Sequence, residues 1–266
     1  MEAMEKIPNI SIYNQKMART VVDKIFFLAH IDADVFVDFG CADGEVLRAI
    51  SNFVPDSICI GYDISSEMIK EATLKSPTDE NFVFTSNKNY VVEMVHNLQQ
   101  RGHKVCLILS SVIHEVYSYS TPKEIRDFWK FVQDTGFDYV SIRDMTYQPG
   151  LSYPEVNWKN YENVENSKYS KELADFEQEW GLIKNNPKNA LNFFLKYRYK
   201  ENWDRELYED YLPLNSRELQ DQFPYSKWKE VFKHLYTLPY IEKIVKEDFN
   251  ISIIANTHIQ LIYEKR

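Results

Sequence analysis

Two short apolar runs near the start of the chain each end beside an acid. The first, at 35–39, carries Asp38 and leads into the turn Gly40-Cys-Ala-Asp-Gly44. The second, at 58–62, leads into Asp63 and Ile64. Small residues let a backbone turn sharply and approach a bound molecule closely. Carboxylates at the two strand ends can accept hydrogen bonds from ligand amino groups and from both hydroxyls of a ribose. The pattern predicts a strand–turn–helix–strand unit that binds a nucleoside-containing ligand at its edge.

The spacing of the turn separates two classes of ligand. A nicotinamide site also places an acid about 20 residues beyond its glycine turn, but its third glycine follows the second by three positions. Here Glu45 stands at that position and would face a pyrophosphate. The spacing Asp38-x-Gly40-x-Ala42-x-Gly44 instead resembles motif I of the class I S-adenosylmethionine-dependent methyltransferases, with Ala42 in place of the middle glycine. The remaining interpretation is an ordinary strand–helix–strand unit without a nucleotide.

The resemblance implies a cofactor, S-adenosylmethionine, with S-adenosylhomocysteine as product. Asp38 would orient the turn or reach the cofactor's amino group, and Asp63 would accept the ribose hydroxyls. Asn87 follows the third strand, where family members often carry an acid that holds the adenine amino group. Met68 would either pack on the adenine or belong to the core. The predicted cofactor-binding residues are Asp38, Gly40, Cys41, Ala42, Gly44, Asp63, Ile64, Met68, Asn87 and Ser110.

The fourth strand is followed by Ser110-Ser-Val-Ile-His114-Glu115, at the edge that faces the acceptor in this family. DNA amino-methyltransferases carry an Asn/Asp-Pro-Pro-aromatic tetrapeptide here, which this chain lacks, and the segment resembles the small-molecule branch instead. His114 is the candidate general base, since a neutral imidazole can take a proton from an oxygen or nitrogen nucleophile. A structural hydrogen bond is the alternative for His114. Arg143 and Asp144, after the fifth strand, are predicted either to contact substrate or to form a structural salt bridge.

Strands alternating with helices must position these residues. Apolar runs at 35–39, 58–62, 82–85, 105–109 and 139–142 predict five strands, and the intervening segments have helical periodicity. The sequence predicts an α/β fold with a doubly wound, mostly parallel seven-stranded sheet. A hairpin at 249–254 and 258–263 is predicted to supply an antiparallel C-terminal strand, as in the methyltransferase fold. Periodicity over 12–30, with Met17, Val21, Ile25 and Leu28 on one face, predicts a preceding helix.

Three regions follow from these patterns. Residues 1–30 are predicted to form an N-terminal cap helix, and 31–146 with 233–266 are predicted to form the cofactor-binding core. Residues 147–232 are rich in aromatic side chains and predict a folded helical insertion, since disordered segments are poor in such residues. As a substrate cap, the insertion would suit an aromatic or cationic small molecule through stacking and cation–π contacts. Alternatively, its aromatic residues form its own core.

Composition limits the class of partner. The net charge is −9, from 40 acids and 31 bases, which favours a small molecule or protein over a phosphate backbone. The three cysteines fall at predicted buried strands, which is typical of reduced thiols in the cytoplasm. No apolar run approaches the roughly 18 residues of a membrane span, no signal peptide is recognisable, and no Cys/His cluster has metal-ligand spacing.

Two alternatives to a small-molecule methyltransferase remain open. An RNA- or tRNA-directed methyltransferase could use basic residues interleaved with aromatic residues, including Tyr197, Tyr199 and Trp203. The basic residues are Lys184, Lys188, Lys196, Arg198, Lys200 and Arg205. The second alternative is a non-catalytic module that binds S-adenosylmethionine. The sequence does not determine the acceptor or the oligomeric state.

Overall fold

The computed structural model describes residues 21–76, 80–150, 156, 158–253 and 255–266 of the 266-residue chain. Its strands are β1 (Val35–Phe39), β2 (Ile58–Tyr62), β3 (Phe82–Thr85), β4 (Val105–Ser110), β5 (Tyr139–Met145), β6 (Trp228–Tyr236) and β7 (His258–Lys265). Within the described residues, these seven strands form one sheet in the order β3-β2-β1-β4-β5-β7-β6. The predicted fold class, a doubly wound and mostly parallel seven-stranded sheet, is confirmed.

Helices connect the strands in the described part of the chain. They are α1 (Val21–Lys24), α2 (Glu45–Phe53), α3 (Ser66–Lys75), α4 (Lys88–Gln100), α5 (Ile113–Tyr119), α6 (Pro122–Asp134), α7 (Trp158–Glu165), α8 (Ser170–Trp180), α9 (Pro187–Lys196), α10 (Trp203–Glu206), α11 (Ser216–Gln220) and α12 (Pro239–Phe249). A 3₁₀ turn at Phe26–Ala29 follows α1. Residues 12–20 of the predicted N-terminal helix, including Met17, lie outside the described residues.

The five parallel strands occupy the predicted positions because their signal is local. All six residues of β4 are buried, as expected for a strand covered on both faces. Val35 of β1 pairs with Ile58 of β2 on one side and with Val105 of β4 on the other. The strand order therefore reverses beside β1. In open α/β sheets a ligand binds at this switch point, beyond the carboxyl ends of the strands.

Strand β7 runs antiparallel to β5. The Lys265 amide donates to the Asp138 carbonyl at 2.9 Å, and the Thr146 amide donates to the Thr257 carbonyl at 3.0 Å. Residue numbers thus rise along β5 as they fall along β7. The predicted antiparallel strand at the C-terminus is confirmed.

The predicted first strand of the terminal hairpin, at 249–254, is wrong. Phe249 ends α12, and Ile251 and Ile253 are buried in irregular backbone. Their alternation resembles a strand because every second side chain contacts the core. The neighbour of β7 is instead β6. The sequence of β6 mixes polar and apolar residues, so it does not form an apolar run.

The chain divides into two compact units. The first contains Met1–Asp144, Phe223–Lys233 and Gln260–Arg266, and the second contains Met145–Gln222 and His234–Ile259. These bounds differ from the predicted insertion at 147–232, because α12 packs with helices of the second unit and 223–233 belongs to the first. The role of the second unit as a substrate cap stays a prediction.

The second unit has a core of aromatic side chains. Phe176, Phe193 and Tyr197 are fully buried, and Phe193 stacks on Tyr197 with ring centroids 5.5 Å apart. The ring centroid of Tyr197 also lies 4.8 Å from that of Phe249 in α12. Such rings bury large apolar areas and hold these helices together. The aromatic residues at 147–232 therefore largely form the core of the second unit.

Among the described residues, none of the helices has the length and apolar character needed to cross a lipid bilayer.

Candidate functional site

The turn after β1 is fixed by hydrogen bonds to the end of β2. The amides of Gly40 and Cys41 donate to the Tyr62 carbonyl at 2.7 and 2.9 Å. Gly40 has a φ of +80°, and a Cβ there would lie 2.7 Å from Val112 Cγ2. Glycine is required at this position for both reasons. These hydrogen bonds and the close approach of Val112 hold the turn against the end of β2.

Two residues other than glycine hold left-handed backbone at this edge of the sheet. Ala42 in the β1 turn has a φ of +45°, and Ser111, directly after β4, has a φ of +56°. A Cβ in this region costs roughly 1–2 kcal/mol. Backbone strain of this kind concentrates at functional sites. Ala42 therefore adopts a backbone conformation typical of glycine, as the spacing of the motif requires.

Asp63 joins the turn to the helix that follows β2. Its Oδ2 accepts the Ala42 amide at 2.9 Å, and its Oδ1 accepts the Ser65 amide at 2.9 Å. Each carboxylate oxygen keeps a second lone pair for a ligand hydroxyl. Burial raises the pKa of Asp63, while the two backbone hydrogen bonds lower it. Ser65 caps α3, accepting the Met68 amide at 3.3 Å.

Three predicted cofactor residues have side chains that are buried or hydrogen-bonded to the backbone. Met68 is 2% exposed and belongs to the core, which leaves it little surface for a ligand. Cys41 is buried, and burial raises the pKa of its thiol well above the usual value. The Asn87 side-chain oxygen accepts the amides of Asn89 and Tyr90 at 3.0 and 3.3 Å. Asn87 therefore caps α4 with the oxygen that was predicted to hold adenine.

His114 and Asp144 form a buried pair beyond β4. His114 Nδ1 lies 2.7 Å from Asp144 Oδ1, and both residues are at most 5% exposed. The other carboxylate oxygen, Oδ2, accepts the amides of Val112 and Ile113 at 3.1 and 2.8 Å. The strand end of β5 thus fixes both the start of α5 and the ring of His114.

Arg143 lies in a different polar cluster from Asp144, because adjacent strand residues point to opposite faces. Its Nε donates to Asp23 Oδ2 at 2.7 Å, and its Nη1 donates to Ser111 Oγ at 2.9 Å. Asp23 also accepts the Gln260 side-chain amide at 3.0 Å. Arg143 is 5% exposed, so the structure places it in a buried ion pair, and its contact with substrate stays a prediction.

Two charged residues in this region were missed by sequence reasoning. Asp23, which is partly buried, and Lys24, which is 4% exposed, belong to α1. Lys24 falls at helical spacing between Val21 and Leu28, on the apolar face of the predicted helix. A lysine on an otherwise apolar helix face is the sequence signal that could have identified Lys24.

Asp38 and Lys24 influence each other's ionisation. Burial raises the pKa of Asp38 to about 7, and the positive charge of Lys24 opposes this increase. Burial and then the charge of Arg143 lower the pKa of Lys24 to about 8, while Asp38 acts in the opposite direction. The carboxyl end of β1 therefore combines an acid and a base, both removed from water.

One family model matches part of the first unit. Residues 37–137 match the model of a methyltransferase domain. These residues carry a methyltransferase domain. Comparison with curated proteins gives no match.

Solved structures with the same fold include other methyltransferases. A SAM-dependent methyltransferase from Archaeoglobus fulgidus aligns over 97% of this chain and 100% of its own, with 12% identity and a TM-score of 0.51. The plantazolicin methyltransferase BamL aligns over 96% of this chain and 88% of its own, with 11% identity and a TM-score of 0.49. A protein described as a pericyclic reaction enzyme aligns over 92% of this chain, which spans about half, 47%, of that protein, with 9% identity and a TM-score of 0.45. At these identities the likeness concerns the fold.

S-adenosylmethionine suits the groups found at the methyltransferase's switch point. Ser110 Oγ, at the end of β4, is buried and has no hydrogen-bond partner among the described residues. A buried hydroxyl without a partner costs about 1–3 kcal/mol, which a polar ligand atom would offset. Asp38, Asp63 and Ser110 thus offer acceptors for the amino and hydroxyl groups of the cofactor.

Proposed function

We propose that this methyltransferase methylates an oxygen or nitrogen atom of a small-molecule acceptor, and that His114 removes the proton from that atom. The observation that carries the proposal is the buried contact of 2.7 Å between His114 Nδ1 and Asp144 Oδ1. A histidine oriented by a carboxylate is the arrangement that general-base catalysis uses. Positioning the acceptor in line with the methyl group supplies much of the remaining rate.

Asp144 determines which imidazole nitrogen is basic. Its carboxylate accepts two backbone amides, which stabilise the ionised form. Because an ionised carboxylate only accepts hydrogen bonds, His114 Nδ1 carries the hydrogen and Nε2 carries the basic lone pair.

Proton removal and methyl transfer are coupled. When bound, S-adenosylmethionine supplies a methyl carbon that takes the acceptor's lone pair while the carbon–sulfur bonding pair stays on sulfur, giving S-adenosylhomocysteine. His114 Nε2 receives the proton that the acceptor loses, and the Asp144 carboxylate stabilises the imidazolium. The base contributes about 10²- to 10⁴-fold in rate.

The cofactor would be held by three polar groups in the first unit. Asp63 accepts the ribose hydroxyls with the lone pairs that its backbone hydrogen bonds leave available. Asp38 binds the cofactor's ammonium group, and Ser110 Oγ accepts one of the ammonium hydrogens. Gly40, Ala42 and Gly44 keep the turn close to the ligand.

The affinity for S-adenosylhomocysteine should depend on pH through Asp38. Burial raises the pKa of this carboxyl group to about 7. Below that pH, binding of the ligand ammonium must release a proton, so the Kd increases about tenfold for each pH unit below about 7 and levels off above it. Calorimetry at a series of pH values measures both the Kd and the released proton.

Asp38→Asn provides the control for this dependence. The variant should bind more weakly and show a flat pH profile between about pH 5.5 and 7, since the amide does not titrate in this range. A wild-type Kd that is constant over that range would contradict the role given to Asp38.

The residues that suggested RNA as the acceptor are buried or have partners within the second unit. Lys196 is fully buried, as is its neighbour Tyr197, and Trp203 is 7% exposed. The other basic residues have partners inside the second unit. They pair as Arg198 with Asp248, Lys200 with Glu172, Arg205 with Glu209, Lys188 with Asp210, and Lys184 with the ring of Tyr161. Together with the net charge of −9, this supports a small-molecule acceptor.

The test uses the full chain and methyl-labelled S-adenosylmethionine. A cell extract is separated into a small-molecule filtrate, RNA and protein, and each fraction is offered as acceptor. We expect label in the small-molecule filtrate, with stoichiometric S-adenosylhomocysteine. Label in the RNA or protein fraction alone would contradict the proposal. Binding of the cofactor without product from any fraction would instead support a non-catalytic module.

A further inference from the structure

Phe84 of β3 belongs to the apolar cluster that supports the glycine turn from below the sheet edge. It pairs in register with Gly61 of β2, which in turn pairs in register with Asp38 of β1. Residues in register on neighbouring parallel strands direct their side chains to the same face of the sheet. Because Gly61 has no side chain, the Phe84 ring lies across β2 and reaches the turn that follows β1.

Two glycines leave the space that this ring occupies. A Cβ at Gly61 would lie 2.4 Å from Phe84 Cδ1, and a Cβ at Gly44 would lie 2.9 Å from both Cε1 and Cζ of the same ring. Neither distance is compatible with a side chain unless the ring moves. The ring therefore packs on β2 with one edge and on the end of the glycine turn with the other.

Gly44 is confined by a second side chain. Arg48 Nη1 lies 3.2 Å from the position of a Gly44 Cβ and donates to the Asp43 carbonyl. Gly44 is also the residue from which α2 begins, with a φ of +79°. Its position determines where the turn ends and where the first amides of α2 lie, so contacts that hold Gly44 also hold the surface offered to a ligand.

The other phenylalanine of β3 does not share these contacts. Phe82 lies two positions earlier on the same face, with its ring centroid 6.1 Å from that of Phe84, and both pack against the same apolar cluster. The atoms nearest to a Cβ at Gly44 or at Gly61 include those of Phe84 and none of Phe82. General support of the sheet is thus common to both rings, whereas contact with the two glycines belongs to Phe84.

We propose that Phe84 is a positioning residue for the cofactor: its ring, packed on Gly44 and Gly61, sets the distance between the glycine turn and bound S-adenosylmethionine. A binding surface displaced by about 1 Å loses up to about 100-fold in function. The inference rests on the proposed role of the turn in binding the cofactor, and it holds whatever the acceptor is.

The test measures the Kd of S-adenosylhomocysteine by calorimetry in Phe84→Ala and in the matched control Phe82→Ala. Each variant removes one ring from the same face of β3. The Kd should increase about 10- to 100-fold in Phe84→Ala and stay within about threefold of wild type in Phe82→Ala. Phe84→Met should also stay within about threefold, because a flexible thioether side chain refills irregular space. A wild-type Kd in Phe84→Ala, or equal weakening by the two alanine variants, would overturn the proposal.

Gly61→Ala changes the same contact from β2. Its Cβ displaces the Phe84 ring, so the Kd should increase about tenfold or more. In the double variant Gly61→Ala/Phe84→Ala both substitutions remove one contact, so the Kd should stay within about threefold of the weaker single variant. A Kd in which the two losses multiply would show that they act independently, which contradicts the proposal. If Phe84→Ala does not fold, a wild-type Kd in Gly61→Ala overturns it.

Gly40→Ala distinguishes failure of this inference from failure of the proposed cofactor site. A Cβ at Gly40 would lie 2.7 Å from Val112 Cγ2 and would not reach Phe84. Weak binding in Gly40→Ala together with wild-type binding in Phe84→Ala would overturn the role of Phe84 alone. Wild-type binding in both variants would overturn the role of the turn, and this inference with it.

Discussion

Replacing His114 by asparagine should lower kcat by about 10²- to 10⁴-fold and leave the Kd for S-adenosylhomocysteine within about twofold of wild type. The asparagine side-chain nitrogen can donate to Asp144 Oδ1 as His114 Nδ1 does, so the start of α5 keeps its contact. What disappears is the lone pair on Nε2 that receives the proton. The measurement is S-adenosylhomocysteine release at saturating acceptor, with the Kd from calorimetry.

His103→Asn is a matched control for this experiment. His103 Nδ1 lies 2.6 Å from Asp34 Oδ2, so the chain contains a second histidine–carboxylate contact. That contact precedes β1 and β4 and therefore lies at the amino ends of the strands, opposite the site. His103→Asn should keep wild-type kcat. If His114→Asn retains more than about half of the wild-type kcat, the base is another group and His114 is structural.

The cofactor half of the site could be predicted because its signals are local. The turn at Gly40–Gly44 is specified by residues within one short segment, and the spacing to Asp63 is fixed by one helix and one strand. Thr121 and Glu124 at the start of α6 form a capping box, which is specified by a similarly short segment. Interactions encoded within about 20 residues do not depend on how distant segments pack.

Non-local pairs were not predictable in the same way. Arg143 is neutralised by Asp23, 120 positions away in the sequence, and nothing near Arg143 indicates that partner. The same reasoning applies to Lys200, which was predicted to contact nucleic acid and forms an ion pair with Glu172 at 2.9 Å. A single sequence shows which charges exist, whereas their partners depend on packing.

Asn87 shows a different reason for a missed prediction. A polar residue after a strand can face a ligand or cap the next helix, and both uses require the same residue types. In this structure Asn87 caps the helix, since its side-chain oxygen accepts two backbone amides of α4.

Asp63→Ala should abolish detectable binding of S-adenosylhomocysteine, with a Kd at least about 100-fold above wild type. The substitution removes the proposed acceptor of two ribose hydroxyls. It also releases the Ala42 and Ser65 amides, which Asp63 holds at 2.9 Å, so the turn loses its fixed conformation. The measurement is thermal unfolding with and without ligand, in which wild type at 100 times its Kd gains about 2.7 kcal/mol.

Asp34→Ala separates the loss of structure from the loss of ligand contacts. Asp34 accepts the Lys104 amide at 2.8 Å and contacts His103, so its removal also leaves groups of the same sheet without their acceptor. Both variants should unfold at lower temperature than wild type without ligand, but Asp34→Ala should keep the ligand-induced shift and Asp63→Ala should lose it. A full ligand-induced shift in Asp63→Ala would show that this carboxylate does not bind the ribose hydroxyls. It would also contradict the role of β2 in binding the cofactor.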